Sequence, residues 1–278
     1  MSSEFWKDSI VLLDGAMGTV LQQRGLPPGG QPDLLNLTHP ELLCSIYREY
    51  LAAGSQIIYA NTFGANGLKL AGSGRSAAEV ITAAIGVARQ AVAGTSARVA
   101  LDIGPLGELL EPMGRLSFEK AYELFREMAE AGAAAGADLA VIETMTDLYE
   151  AKAALLAVKE NTDLPVFVTM SFEANGRTFT GCTVPSMART LEGLGADAIG
   201  LNCSLGPDLI APLLEELCQN TRLPVIVKPN AGLPDPVNGR YAMGPEEFAA
   251  ALLPCLAAGA TIFGGCCGTS PDYIRRLA

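Results

Sequence analysis

Gly136-Ala137-Asp138-Leu139-Ala140-Val141-Ile142 returns as Gly195-Ala196-Asp197-Ala198-Ile199-Gly200-Leu201, an offset of 59 residues. Leu164-Pro165-Val166-Phe167-Val168 returns at the same offset as Leu223-Pro224-Val225-Ile226-Val227. Looser copies of the first pattern are Ala53-Gly54-Ser55-Gln56-Ile57-Ile58 and Ala258-Gly259-Ala260-Thr261-Ile262-Phe263. Each reads as a helix closed by glycine, then a short turn, then an apolar strand. A fixed internal period marks a fold built by repeating one unit, and a unit of this length holds two strand–helix pairs.

Working outward, apolar runs give eight candidate strands near 10–14, 56–61, 98–103, 138–143, 165–171, 197–202, 224–229 and 260–265. They are apolar at nearly every position, as strands buried on both faces must be. Helical periodicity fills the intervals, for example Glu119 to Ala135 and Leu148 to Lys159. Thr38-His39-Pro40-Glu41 fits a capping box. Gly244-Pro245-Glu246-Glu247 and Ser270-Pro271-Asp272 place proline at a first helical position with acids in the first turn. Eight strand–helix pairs in 278 residues predict an α/β fold, a single (β/α)8 TIM barrel forming one domain over residues 1–278. A doubly wound open sheet would carry a glycine-rich phosphate turn after the first strand, and Asp14-Gly15-Ala16-Met17-Gly18 is not G-x-G-x-x-G. The loop 105–117 is expected to fold over the barrel mouth. The ending Arg275-Arg276-Leu277-Ala278 suits either a module of a longer protein or a short final helix.

Composition narrows the function classes. A net charge of −11 argues against nucleic-acid binding, which needs clustered Lys and Arg. The first residues, Met1-Ser2-Ser3-Glu4-Phe5-Trp6-Lys7-Asp8, lack the blocks of a secretory leader. No apolar run reaches the roughly 20 residues of a membrane span. Seven cysteines in a chain of this length read as reduced thiols and a cytoplasmic location. Cys44, Cys182, Cys218 and Cys255 lie in helix-like or loop-like surroundings and read as packing residues.

The other three do not. In Phe263-Gly264-Gly265-Cys266-Cys267-Gly268-Thr269 two adjacent cysteines end an apolar run between glycines, and Cys203 ends another in Gly200-Leu201-Asn202-Cys203-Ser204. Neighbouring residues of a regular strand point to opposite faces, so two adjacent thiols converge only where the backbone leaves strand geometry. Catalytic groups of such barrels sit at the C-terminal ends of strands. The polar residues there are Asp14, Asn61-Thr62, Asp102, Glu143-Thr144, Ser171, Asn202-Cys203, Lys228-Pro229-Asn230 and Cys266-Cys267. Three thiols from strands six and eight can meet around one zinc with an open coordination position. Buried thiols or a vicinal redox pair are the competing readings, although a disulfide between adjacent residues is strained. Zinc with three thiolates is formally −1 and a poor activator of water. It suits a fourth thiol, held as a nucleophilic thiolate for alkyl transfer. No separate general base is then essential, and the one histidine, His39, lies in a helix-starting segment.

Six ordered stretches carry a resemblance. Asp14-Gly15-Ala16-Met17-Gly18-Thr19, Ala60-Asn61-Thr62-Phe63-Gly64-Ala65, Ile142-Glu143-Thr144, Leu201-Asn202-Cys203-Ser204, Lys228-Pro229-Asn230-Ala231-Gly232 and Gly264-Gly265-Cys266-Cys267-Gly268-Thr269 resemble the homocysteine S-methyltransferase family. The likeness runs from about residue 10 to 272. Within the family the chain is most similar to the N-terminal homocysteine-binding module of cobalamin-dependent methionine synthases. The resemblance implies a (β/α)8 barrel with one zinc on Cys203, Cys266 and Cys267, activating homocysteine. It implies that Asp14 and Glu143 face the amino group of homocysteine. The backbone N–H groups around Gly15, Ala16 and Met17 would cradle its carboxylate. Asn230 is a candidate fourth zinc ligand in the absence of substrate. Asn61, Thr62 and Asn202 are expected to position neighbours rather than to touch sulfur.

A departure bears on the methyl donor. Cobalamin modules supply a histidine to cobalt from a D-x-H-x-x-G stretch, and no such stretch surrounds His39. The expected donor is therefore methylcobalamin carried by a corrinoid-binding partner protein or domain. A stand-alone enzyme using S-methylmethionine, S-adenosylmethionine or a betaine is the alternative, and a non-catalytic thiol- or zinc-binding subunit is a third.

Overall fold

The computed structural model describes residues 5–278 apart from residues 8, 28 and 236–238. The start of the chain, on which the leader reading rests, thus lies largely outside the described residues. Eight parallel strands follow one another: β1 (Val11–Leu12), β2 (Ile57–Tyr59), β3 (Arg98–Ile103), β4 (Leu139–Met145), β5 (Val166–Met170), β6 (Ala198–Asn202), β7 (Val225–Lys228) and β8 (Ile262–Phe263). Their spatial order is β1-β8-β7-β6-β5-β4-β3-β2. The remaining gap is closed by a parallel bridge between Leu13 and Ile57 and by Gln56. The Gln56 N–H donates to the Leu12 carbonyl at 2.7 Å, and its side-chain oxygen accepts from the Leu12 N–H at 2.9 Å. The expected (β/α)8 barrel is the observed fold.

The repeated stretches have a common physical task. Gly136 and Gly195 end their helices with φ of +91° and +87°, a conformation that glycine adopts without a Cβ penalty. The aspartate two residues later then starts the next ladder. Asp138 donates its N–H to Val99 O and accepts the Val99 N–H on Oδ2 at 2.7 Å. Asp197 does the same with Val166, its Oδ2 accepting at 2.8 Å. The repeat therefore encodes strand register at the closed end of the barrel, away from the site.

Inside the barrel, Val11, Leu13, Ile57, Ala100, Leu139, Val141, Phe167, Ala198, Ile226 and Ile262 form a compact core. Trp6 plugs its N-terminal end, edge-on to Phe167 at 5.3 Å between ring centroids. A larger core lies between the outer strand faces and the surrounding helices, and it includes Cys44 and Cys255. Because side chains alternate along a strand, the inward series continues upward from Ala100 to Asp102, from Val141 to Glu143, and from Ile226 to Lys228. Polar groups thus replace apolar ones at the C-terminal end.

Two local expectations are corrected. The capping box at Thr38 does not form: a short helix, Leu35–Thr38, runs up to it, and the Thr38 hydroxyl donates backward to Leu34 O. His39 is the N-cap of Pro40–Ala53 without a side-chain cap bond, so Pro40 at the first position makes the start. The 105–117 loop stands on the mouth side after β3, yet none of its residues lines the cavity there. Its Leu106, Leu110 and Leu116 are buried in the outer core, and the Leu106 N–H donates to Glu150 Oε1 at 2.7 Å. Residues 30–33, 63–64 and 69–70 line the cavity instead.

Glu150, at the start of the helix Leu148–Asn161, is buried, and desolvation pushes its carboxyl up from 4.5 to about 7 despite the bond from Leu106. A group that binds its proton more tightly when folded contributes stability below its unfolded pKa and loses it as pH rises through the folded one. The stability advantage of the native protein over Glu150→Gln should therefore shrink between pH 4.5 and 7, as read from urea melts at each pH.

Candidate active site

At the upper end of the barrel lies a cavity of about 530 Å³, lined among others by Asp14, Gly15, Ala16, Met17, Tyr59, Asp102, Glu143, Lys228, Cys203, Cys266 and Cys267. The three thiols come together although β7 separates β6 from β8. The end of β7 and the residues after it lace the two: Cys203 N–H donates to Lys228 O at 3.1 Å, Cys266 N–H to Pro229 O at 2.8 Å, and Ala231 N–H to Cys267 O at 2.9 Å. Cys203 itself sits at φ +59° and Ser204 at +53°, so the chain turns sharply at the strand end. Gly265 and Gly268 are obligatory by contact. A Cβ on Gly265 would lie 2.4 Å from Thr269 Oγ1, and one on Gly268 would lie 2.3 Å from Tyr241 Cγ. Thr269 locks the turn by donating its hydroxyl to Cys266 O at 2.7 Å.

The three sulfurs lie within 4.8 Å of one another and are half-buried. Zinc–sulfur bonds of about 2.3 Å at tetrahedral angles need sulfurs roughly 3.8 Å apart, so small side-chain adjustments suffice. Their mutual hydrogen bonds, first from Cys203 and then from Cys266, hold the Cys267 thiol well below the usual thiol range. The contact with Cys203, followed by that with Cys267, pushes Cys266 well up. The cluster is thus suited to carrying negative charge toward a soft cation, and it opens onto the cavity. Asn230 does not line that cavity. It is buried, and its Oδ1 has no hydrogen-bond partner among the described residues, an orphan lone pair that agrees with a ligand role.

Asp14 and Glu143 face one another across an ammonium, but that ammonium belongs to the protein. Lys228 Nζ lies 3.3 Å from Glu143 Oε2 and 3.8 Å from Asp14 Oδ1, and 4.3 Å from the centroid of the Tyr59 ring. Burial by itself works against the Lys228 charge, yet Glu143 and then Asp14 outweigh it and hold the ammonium well above its ordinary range. Burial pushes Asp14 up to about 7, with Lys228 and the N–H of Tyr59 opposing. Burial and the neighbouring Glu143 push Asp102 well up. Sequence reasoning placed Lys228 and Asp102 at strand ends without giving them work. Their signal was strand parity, since each stands two residues after a barrel-filling side chain.

The expected cradle is partly occupied. The Ala16 N–H donates to Thr269 Oγ1 at 3.1 Å, whereas those of Gly15 and Met17 find no acceptor among the described residues. The supporting residues are engaged as follows. Asn202 receives the Thr144 N–H at 2.9 Å and donates to its hydroxyl at 2.8 Å, fixing Thr144 at φ +62° beside Glu143. Asn61 Nδ2 donates to Pro32 O at 2.7 Å, tying down the mouth. Thr62 Oγ1 accepts the Asp102 N–H at 3.0 Å and donates to its carbonyl at 2.8 Å.

With this geometry in hand, the family model described as homocysteine S-methyltransferase matches residues 11–278. The chain belongs to the homocysteine S-methyltransferase family. It is 35% identical to methionine synthase of Mycobacterium leprae (strain TN) and to that of Mycobacterium tuberculosis (strain ATCC 25618 / H37Rv), over 97% of this chain in each case. It spans 24% of the length of either relative. Among solved structures it resembles the homocysteine methyltransferase MmuM from Escherichia coli. The oxidized form superposes with a TM-score of 0.84 at 26% identity, over 96% of this chain and 94% of that one. The metallated form gives 0.83 at 26% identity over 98% and 96%. Among the described residues, no helix of this family member is long and apolar enough to cross a membrane.

Asn202→Ala would leave Thr144 in a left-handed conformation with its N–H unpaired. The expected cost is about 1–3 kcal/mol, read as a lowered midpoint of urea unfolding, with Ser171→Ala as a milder neighbour because only the bond of its hydroxyl to Asn202 O is lost.

Proposed function

We propose that this chain is a zinc-dependent S-methyltransferase module, one domain over residues 1–278, that binds homocysteine and methylates its sulfur to give methionine. The observation that carries the reading is the convergence of Cys203, Cys266 and Cys267 on the wall of a cavity whose floor is acidic. Zinc held by the three cysteines would lower the pKa of the incoming thiol and keep its sulfur nucleophilic. The chain's own residues bind and orient. The carboxylates at the floor, Asp14 and Glu143, balance the acceptor ammonium, and the N–H groups of Gly15 and Met17 are free to meet its carboxylate. Asn230 would be the ligand that yields to the incoming sulfur. The thiol proton leaves to solvent; the sulfur–carbon bond then forms as the methyl–carrier bond breaks, its electron pair departing with the carrier.

The donor is proposed to be a methylcorrinoid carried by another domain or protein. The 35% identity to methionine synthases, together with a span of only 24% of their length, supports this. So do the exposed apolar side chains Met113, Phe179 and Leu233, which stand on loops following strands, on the side of the cysteines. A second reading, a small donor such as S-methylmethionine, S-adenosylmethionine or a betaine, is favoured by the coverage of 94% of the MmuM chain.

Elemental analysis of reduced, zinc-treated protein should find one zinc per chain, and Cys203→Ala or Cys266→Ala should abolish it. Homocysteine binding should release a proton near neutral pH, as seen by calorimetry in buffers of different ionisation enthalpy. Mixing the protein and homocysteine with methylcobalamin and each small donor in turn should give methionine with methylcobalamin. Metal-independent homocysteine binding would overturn the zinc reading, and binding without product from any donor would favour a non-catalytic thiol-binding role.

A further inference from the structure

The loop that follows β7 returns to the cysteines by a second route. Pro234 and Tyr241 pair as an antiparallel bridge. The Tyr273 hydroxyl donates to Met243 O at 2.6 Å, which pins the returning chain to the last helix, Pro271–Leu277. Tyr273 in turn lies edge-on to Phe248, with ring centroids 5.4 Å apart. Tyr241 is thereby laid on Gly268, where an added Cβ would stand 2.6 Å from Tyr241 Cβ and 2.7 Å from its Cδ2. Gly268 follows Cys267 directly, and the Tyr241 hydroxyl is hydrogen-bonded to Cys267 Sγ. The hydroxyl is the donor once Cys267 is a thiolate, as a zinc ligand must be. Cys267 lines the cavity and Tyr241 does not, so the phenol meets the sulfur from behind.

That bond has a chemical consequence. With an acceptor bound, the site would hold four thiolates, three from the protein and one from the substrate, and every thiolate is a nucleophile. A hydrogen bond accepted by a thiolate is charge-assisted, and it draws on the electron density that the sulfur would give to carbon. It weakens as that sulfur is alkylated, so it slows attack by the sulfur that accepts it. We propose that Tyr241 is a positioning residue that keeps Cys267 a metal ligand and not a methyl acceptor: its hydroxyl holds the Cys267 sulfur and withdraws charge from it, leaving the methyl group to the incoming thiol. This rests on the zinc reading above.

The test uses Tyr241→Phe, which keeps the ring on Gly268 and removes only the donor. In the cobalt-substituted protein the sulfur-to-metal charge-transfer band of the variant should move to longer wavelength, since a more electron-rich thiolate gives up an electron more easily. In the zinc-loaded protein without homocysteine, methyl iodide serves as the probe: a sulfur–carbon bond forms as iodide leaves with the carbon–iodine electron pair. Tandem mass spectrometry should find Cys267 methylated about tenfold faster in Tyr241→Phe, as expected for one lost hydrogen bond to a charged group, and Cys203 within about twofold of native. The proposal is overturned if the band stays in place, if the Cys267 rate is unchanged, or if Cys203 and Cys267 accelerate alike. Loss of the metal from the variant alone also overturns it, because Tyr241 would then serve only to build the site. Failure of the native protein to take up either metal would remove the zinc reading, and Tyr241's role with it.

Discussion

The bond from Cys203 N–H to Lys228 O and that from Cys266 N–H to Pro229 O hold the site together. Strands β6 and β8 never pair directly, so nothing in either strand brings their cysteines into contact. The end of β7, Lys228-Pro229, accepts from both, and the closeness of the thiols follows from it. Sharp turns at Cys203-Ser204 and at Cys267-Gly268 then shape the ends on which the sulfurs sit.

The same segment carries the second organising feature, the buried Lys228. An isolated ammonium there would cost several kcal/mol, and Glu143 and Asp14 make it tenable. With Lys228 in place the cavity floor still has more acid than base, counting Asp14, Asp102 and Glu143 against one lysine. The surplus is partly masked, since burial raises Asp14 and Asp102. An incoming cation would reverse that shift, so the floor is suited to a positively charged ligand.

Much of this was legible before folding. The barrel followed from the 59-residue repeat, and that repeat turns out to encode strand register through Asp138 and Asp197 rather than chemistry. The three cysteines stood out because adjacent thiols between glycines have no regular-strand explanation. The capping box at Thr38 misled, because the preceding helical turn, Leu35–Thr38, was too short to show as a periodic pattern. The 105–117 loop misled because Leu106, Leu110 and Leu116 draw it into the outer core rather than into the cavity wall.

The amino-acid sequence by itself determined the number and order of the strands, the family, and which residues stand at the strand ends, because periodicity and local turn chemistry act over a few residues. Only the tertiary structure decided which of those residues share a charge. That Lys228 neutralises Glu143, and that Asp14, Tyr59 and Asp102 are left facing one cavity, depends on distances across a closed barrel. Coulombic and hydrogen-bond energies change steeply over a single ångström there, and no pattern along the chain records that separation.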